Sequence, residues 1–290
     1  MKQADRTAVL GTPLAVIAAA LVAVAGSQGG QTVGAFPIFA LCFLTAFVIQ
    51  WLAFIPAYLA QTEKFYDLTG SLTYITVIVL AVLLSNPKDA RSLLFLALVG
   101  IWAVRLGSFL FMRIRRAGED TRFDEIKPSF PRFLLTWTLQ GLWVSLTLSA
   151  ALAAITSMRH VDFGIFAALG LVVWLVGFGI EVAADQQKKT FRADPANAGK
   201  FIQSGLWAWS RHPNYFGEIV LWIGVALIAV PVLRGWQWVT LISPIFVFLL
   251  LTRVSGVPML EARADEKWGG QPEYEAYKAK TPVLLMKPPK

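Results

Sequence analysis

Long runs of apolar residues alternate with short polar segments along the whole chain. Eight runs approach the roughly 20 apolar residues that cross the hydrocarbon core of a bilayer. They occupy residues 8–25, 37–60, 70–85, 91–112, 133–156, 162–183, 214–231 and 236–254. This pattern predicts an all-α, polytopic membrane helix bundle with about eight transmembrane helices. The third run is short and the seventh follows Pro213, so a segment that crosses only part of the membrane stays an alternative at both places.

The first run follows Lys2 and Arg6 and has the outline of a signal peptide. Because further spanning runs follow it, we expect a first transmembrane helix instead of a cleaved leader. Composition supports the membrane class, since only 15% of the residues are charged, against about 25% in soluble domains.

Most of the 26 Lys and Arg residues fall in segments on the same side as the N-terminus, and the other side holds Lys88, Arg91, Arg159 and Arg234. By the positive-inside rule, both termini are cytoplasmic. We expect a bacterial inner membrane, because the single cysteine excludes an intramolecular disulfide. The net charge of +8 would meet lipid headgroups or an anionic ligand, and nothing in the pattern supports nucleic acid as a partner. A chain with two histidines and no HExxH or CxxC motif predicts no metal site.

Ionisable side chains are costly inside a bilayer unless they are paired or face a cavity. Arg105, Glu181 and Glu218 lie within the predicted helices. For Arg105 a structural ion pair is the alternative to a functional role, and Glu181 is close enough to a helix end to reach the interface. Glu218 stands out, because the run that precedes it is unusual.

That run, residues 205–218, reads GLWAWSRHPNYFGE. Pro213 favours a helix start there, and Asn214 can cap the first amides. A helix N-terminus with these polar residues suits an anionic or amide-bearing ligand. The predicted binding residues at this entrance are Arg211, His212, Asn214, Tyr215 and Glu218.

A second polar cluster precedes this run, in the sequence EVAADQQKKTFR of residues 181–192. One polar stripe is predicted on a helix that continues out of the membrane, formed by residues that recur every three to four positions: Glu181, Asp185, Lys188, Lys189 and Arg192. The stripe is either an ordinary solvated face or a wall for a phosphate-bearing cofactor, with Arg192 and Lys200 as phosphate ligands. Arg116 belongs to another basic cluster, for phosphate or lipid headgroups.

A third candidate is the Tyr66-Asp67 pair, which opens the third apolar run. Asp67 can cap that helix. Alternatively, one of the two side chains donates a hydrogen bond to a substrate.

These motifs together resemble the membrane-embedded steroid 5α-reductase superfamily, and most closely its bacterial DUF1295 branch. The resemblance rests on FYDLTGSLTY (65–74), the spacing of Glu181, Asp185 and Lys188, SRHPNYFGE (210–218) and SGVP (255–258). It implies N-terminal transmembrane helices over residues 1–60 and a reductase-like domain over residues 61–290. The core would have seven helices, with one helix added at the N-terminus.

The resemblance also implies that NADPH is the cofactor. By position in the motifs, Asn214 matches the nicotinamide-side Asn and Glu218 the Glu on the same turn. Further matches to cofactor-binding positions are Arg116, Glu181, Asp185, Arg192, Lys200, Trp268 and Tyr274. The substrate half departs from the steroid enzymes, which have a Gln-Glu pair and a Tyr where this chain has Tyr66-Asp67 and Trp102.

The expected reaction is reduction of a carbon–carbon double bond, conjugated to a carbonyl, in a steroid- or isoprenoid-like lipid that enters from the bilayer. Asp67 or Tyr66 would donate a hydrogen bond to the carbonyl oxygen, where charge develops. Two other functions stay open. One is an S-adenosylmethionine-dependent methyltransferase of the isoprenylcysteine carboxyl methyltransferase type, which shares a shorter form of the Arg-His-Pro motif. The other is a non-catalytic membrane protein.

Overall fold

The computed structural model describes residues 3–117 and 120–289, apart from the side chains of Arg113, Arg116, Ala117 and Thr121. Within this part of the chain, eight helical segments are long and apolar enough to cross a membrane. The prediction of an all-α, multi-pass membrane protein is therefore confirmed. By its internal contacts the chain divides into two compact units. Unit 1 comprises residues 1–164 and 229–243, and unit 2 comprises residues 165–228 and 244–290.

Unit 1 is built around one central helix. Its helices are α1 (Gln3–Gly26), α2 (Ile38–Leu59), α3 (Tyr66–Leu84), α4 (Ala90–Ala117) and α5 (Phe130–Ile155). The most apolar stretch of α5 is 89% buried, and α5 contacts each of the other four helices. It therefore forms the core of the unit.

Small residues let the helices of unit 1 approach closely. A β-carbon on Gly70 of α3 would lie 2.6 Å from the Gln140 amide nitrogen on α5, and one on Gly107 of α4 would lie 2.6 Å from the Ser71 hydroxyl on α3. Close approach through small residues is the usual way in which membrane helices associate, because burial of apolar surface gives little driving force inside lipid.

A short hairpin and a glutamine connect the loops at one end of unit 1. β1 (Thr32–Val33) and β2 (Phe36–Pro37) pair antiparallel between α1 and α2. The side chain of Gln31 donates to the Ser157 carbonyl and accepts from the Asn86 amide. Loops that lie far apart in sequence are thus joined at this end.

Unit 2 combines membrane-spanning helices with helical segments that are polar. Its helices are α6 (Ile165–Ala193), α7 (Pro213–Ala229), α8 (Ile242–Leu249), α9 (Val257–Trp268) and α10 (Pro272–Lys280); the ends of α7 and α8 nearest each other fall in unit 1. α6 and α7 run antiparallel and touch at two levels, where Gly170 faces Gly224 and Gly177 faces Gly217. As the polar stripe predicted, α6 continues ten residues beyond its apolar run, which ended at residue 183.

The last span is a broken helix. A π-helical turn, Leu250–Val254, follows α8, and α9 begins at Val257. Gly256 lies at the break, where a β-carbon would stand 2.4 Å from the Leu251 carbonyl oxygen and 2.9 Å from the Tyr215 ring. The predicted span ended at residue 254, and the helical segment in fact resumes and continues to Trp268.

Candidate binding site in unit 2

Unit 2 contains a cavity of about 320 Å³ at the polar end of α6. Its walls come from α6, α9, α10 and the loop between α6 and α7. The polar and charged lining residues are Lys188, Arg192, Lys200, Arg211, His212, Glu261, Arg263, Lys267, Tyr274 and Tyr277. Among these described residues, six are Lys or Arg and one is a carboxylate. Such a lining attracts anions.

The polar stripe of α6 leads into this cavity. Glu181 and Asp185 are buried, whereas Lys188 is half-buried and Arg192 is exposed. Lys188 and Arg192 lie four residues apart on one helix face and both line the cavity. The stripe is therefore buried at its first two members and exposed to solvent at Arg192.

The loop after α6 is held against that helix by Trp207. The Trp207 indole donates a hydrogen bond to the Ala184 carbonyl oxygen at 3.0 Å, and the Lys188 ammonium lies 4.2 Å from the centre of its ring. From α10, the Tyr277 hydroxyl donates to the Trp207 carbonyl oxygen at 2.7 Å. These contacts fix the loop wall of the cavity.

Aromatic rings form the opposite part of the lining. Phe201 contacts the rings of Trp268, Tyr274 and Tyr277, with centroids 5.2–5.8 Å apart. The Trp268 indole donates to the Gly199 carbonyl oxygen at 2.6 Å, and the Tyr274 hydroxyl donates to Asp265 at 2.9 Å. Flat apolar surface therefore lies beside the cationic groups.

Glu261 of α9 holds two basic side chains at the entrance of α7. One of its carboxylate oxygens lies 2.8 Å from His212 Nε2, and the other lies 3.0 Å from Arg211 Nη1. The His212 ring also stacks on Tyr215, with centroids 5.6 Å apart and planes 11° apart. Burial lowers the pKa of His212 below its usual value, although Glu261 opposes that effect. The lowered pKa favours the neutral imidazole.

The first turns of α7 carry the remaining residues predicted for this site. Asn214 is the second residue of the helix, because Pro213 occupies the first position, so the interpretation of Asn214 as a helix cap is wrong. Its side-chain oxygen is buried and has no hydrogen-bond partner among the described residues. Glu218 is buried one turn further along.

The remaining predicted residues lie in unit 1. The Tyr66 hydroxyl donates to the Thr136 carbonyl oxygen at 3.0 Å, and its ring contacts Phe123 and Trp137. Asp67 lies in the first turn of α3, two residues after the N-cap residue Phe65. Arg116 is on α4, but its side chain lies outside the described residues.

The structure thus brings Arg192, Lys200, Arg211, His212, Trp268 and Tyr274 to one cavity, whereas Glu181, Asp185, Asn214, Tyr215 and Glu218 are not among the residues that line it. It adds Glu261, Arg263 and Lys267, none of which belongs to a sequence motif. All three lie on α9, where Leu260, Ala264 and Lys267 recur at helical spacing and line the same wall. That periodicity was the available signal, but the span was predicted to end before α9.

Comparisons with known proteins support the family that the motifs suggested. A family model described as "Protein of unknown function (DUF1295)" matches residues 53–281. A steroid 5-alpha-reductase DET2 of Gossypium hirsutum is 32% identical over 54% of this chain and 55% of its own length. A 3-oxo-5-alpha-steroid 4-dehydrogenase 1 of Bos taurus is 30% identical over 34% of each chain.

A shorter match points to another chemistry. A probable O-methyltransferase ustE of Ustilaginoidea virens is 34% identical over 21% of this chain and 22% of its own length. The chain thus spans from about a fifth to about half the length of these relatives. No solved structure matches the chain.

Proposed function

Since the chain belongs to the DUF1295 family, we propose that it is a membrane-embedded, NADPH-dependent reductase of a carbon–carbon double bond in a lipophilic substrate. The observation that carries this proposal is the cavity of unit 2, where six cationic side chains and one carboxylate lie beside a wall of aromatic rings. The names of the two steroid reductases among the relatives supply the reaction class.

The residues of the cavity fit the chemistry of the cofactor. NADPH carries a diphosphate and a separate 2′-phosphate, and the cations around the cavity can pair with both. Phe201, Trp268 and Tyr274 offer flat surfaces on which an adenine ring can stack. Asn214 is not among the residues that line the cavity, but its side-chain oxygen, which is buried and has no partner among the described residues, suits the amide hydrogen of a nicotinamide. When bound, NADPH would supply a hydride.

In the proposed mechanism, Asn214 and Glu218 orient the nicotinamide at the start of α7, because hydride transfer needs close and aligned atoms. A protonated Asp67 would donate a hydrogen bond to the substrate carbonyl, where negative charge develops as the far carbon of the double bond receives hydride. The neighbouring carbon would then take up a proton from water, which completes the reduction. Tyr66, whose hydroxyl hydrogen binds the Thr136 carbonyl oxygen, is the alternative donor. A conjugated enone of steroid or isoprenoid type meets these requirements.

The proposed topology follows from charge. The basic residues of the cavity belong to the segments that the positive-inside rule assigns to the cytoplasm, where NADPH is available. The lipophilic substrate would enter from the bilayer.

The first test is ligand binding by detergent-purified protein. We expect NADPH to raise the melting temperature and S-adenosylmethionine to leave it unchanged. NADPH oxidation is then followed spectroscopically with a panel of steroid and isoprenoid enones, in wild type and in Asp67→Ala, which removes the donor. The variant should bind NADPH as wild type does but reduce no substrate. Failure of NADPH to bind wild-type protein would overturn the proposal.

A methyltransferase is the second candidate, because one partial relative carries that name. S-adenosylmethionine bears a sulfonium and an ammonium group, which the six cations of the cavity would repel. The same thermal-shift experiment decides between the two. Stabilisation by S-adenosylmethionine alone would favour the methyltransferase.

A further inference from the structure

We propose that Glu261 is a positioning residue of the nucleotide site: it holds Arg211 and fixes His212 in the tautomer whose Nδ1 accepts a hydrogen bond from the bound ligand. This inference rests on the proposed function, because it assumes that a nucleotide occupies the cavity. It assigns a role to a residue on α9 that none of the sequence motifs includes.

The Glu261 carboxylate joins two neighbouring basic side chains. Glu261 contacts His212 Nε2 with one oxygen and Arg211 Nη1 with the other, at 2.8 and 3.0 Å. All three side chains line the cavity. One carboxylate from α9 therefore fixes two neighbouring side chains of the loop that leads into α7.

The contact with Glu261 determines which nitrogen of the His212 imidazole carries the proton. An ionised carboxylate can only accept hydrogen bonds, so the single N–H of a neutral histidine must be at Nε2. Nδ1 is then an acceptor. It is buried, and it has no hydrogen-bond partner among the described residues. A buried acceptor without a donor costs free energy, so a ligand that brings a hydrogen to Nδ1 gains affinity.

Because Nδ1 of His212 is an acceptor, it limits which group of the ligand can bind there. An ionised phosphate has no hydrogen to donate, so His212 does not bind phosphate. The group that meets Nδ1 must carry an O–H or an N–H, which the ribose hydroxyls and the carboxamide of a nicotinamide nucleotide provide. In this site the Lys and Arg side chains thus bind the phosphates of the ligand, and His212 binds a neutral group that donates a hydrogen bond.

Two substitutions of His212 separate its two nitrogens. Asn places a polar group near the position of Nδ1, and Gln places one near Nε2. We expect His212→Gln to raise the Kd for NADPH roughly tenfold, the effect of losing one good hydrogen bond, and His212→Asn to raise it less. Equal effects of the two variants would overturn the role of Nδ1.

Glu261→Gln tests the positioning role directly. We expect it to raise the Kd for NADPH roughly tenfold, and Glu266→Gln, at an exposed position on the same helix, to leave it unchanged. The effects of Glu261→Gln and His212→Gln should not add in the double variant, because both remove the same arrangement. Additive effects would overturn the coupling.

The pH dependence of binding gives a readout that a purely structural role would not change. The groups that face His212 are Glu261 from α9, Lys188 from α6, the adjacent Arg211 and the Tyr215 ring. Affinity should fall as pH drops through the pKa of His212, because protonation converts Nδ1 into a donor. Glu261 stabilises the protonated imidazole and so raises the pKa of His212. Glu261→Gln removes that charge and should therefore move the fall in affinity to lower pH. The 2′-phosphate of NADPH itself titrates near pH 6. Any fall in affinity at low pH that remains in His212→Gln is therefore caused by protonation of the ligand.

Fragments of the cofactor identify which donor His212 meets. Adenosine 2′,5′-bisphosphate and reduced nicotinamide mononucleotide are titrated separately against wild type and His212→Gln. The fragment whose affinity drops carries the donor. If NADPH binds wild type but neither Glu261→Gln nor His212→Gln changes its Kd, only this inference fails. If NADPH does not bind wild type, the proposed function itself fails.

Discussion

Gly217 on α7 faces Gly177 on α6 so closely that a β-carbon added at Gly217 would stand 2.6 Å from the Gly177 carbonyl oxygen. The same β-carbon would stand 2.6 Å from the backbone nitrogen of Glu181. Hence the first turns of α7, which carry Asn214 and Glu218, lie directly against the polar part of α6. The absence of side chains at these two glycines sets the distance between the helices.

Substitution at this contact should destabilise unit 2. Gly177→Ala would place a methyl group 2.4 Å from the Leu221 backbone nitrogen, so the helices must separate. We expect a loss of about 1–3 kcal/mol, as for other overpacked sites, measured by thermal unfolding in detergent. Gly179→Ala is the matched control, because it lies on the same helix and its β-carbon would meet nothing within 4 Å. Equal stability of the two variants would contradict the close contact.

Charge removal at the cavity should weaken nucleotide binding. Arg192→Gln deletes a cation that lines the cavity, whereas Lys189→Gln deletes an exposed cation of the same helix that does not. We expect the first variant to raise the Kd for NADPH roughly tenfold and to reduce its salt dependence, and the second to do neither. Isothermal titration at two salt concentrations measures both quantities. A similar loss in both variants would indicate a diffuse field without a defined phosphate contact.

The C-terminal segment secures the loop that carries Arg211 and His212. The Ser210 hydroxyl donates to the Leu284 carbonyl oxygen at 2.9 Å and accepts from the His212 amide at 3.2 Å. The Arg211 amide donates to the Pro282 carbonyl oxygen at 2.9 Å.

We therefore expect Ser210→Ala to lower stability by about 1–2 kcal/mol and to weaken NADPH binding as well. Ser204→Ala, at an exposed position whose side chain caps nothing, should do neither. Melting temperature and Kd are measured on the same preparations. If the melting temperature and the Kd are both unchanged in Ser210→Ala, the C-terminal segment does not support the site.

A buried ion pair should make unit 1 sensitive to acid. Burial by itself raises the pKa of Glu63, but hydrogen bonds from the Lys127 ammonium at 2.7 Å and the Asp120 amide at 2.8 Å bring it below its usual value. Because the folded pKa is lowered, this stabilisation is present above about pH 4.5 and is lost as pH falls below it.

Glu63→Gln should accordingly lose about 1.5–3 kcal/mol at pH 7 and show a weaker dependence of melting temperature on acid. Glu125→Gln, at an exposed position of the loop that carries Lys127, serves as the control. A pH profile for Glu63→Gln that parallels wild type would assign the acid sensitivity to other groups.

The sequence and the structure differ most where distant segments meet. Arg192 and Lys200 were predicted as phosphate ligands from their position in the motifs, and both line the cavity. The carboxylate that organises the neighbouring basic side chains, Glu261, lies about fifty residues after His212, and no local pattern connects the two. The Tyr66 hydroxyl likewise donates to the Thr136 carbonyl oxygen, seventy residues further along the chain, and no local pattern predicts that contact.

The number and order of the membrane helices were determined by the sequence, because crossing a bilayer requires only a run of apolar residues, and that is a local property. The start of α7 at Pro213 is local for the same reason. The partners of each polar side chain were decided only by tertiary structure, because a contact such as that of Glu261 with His212 depends on how separate helices pack. The boundary near residue 60 between the N-terminal helices and the reductase-like domain stays a prediction.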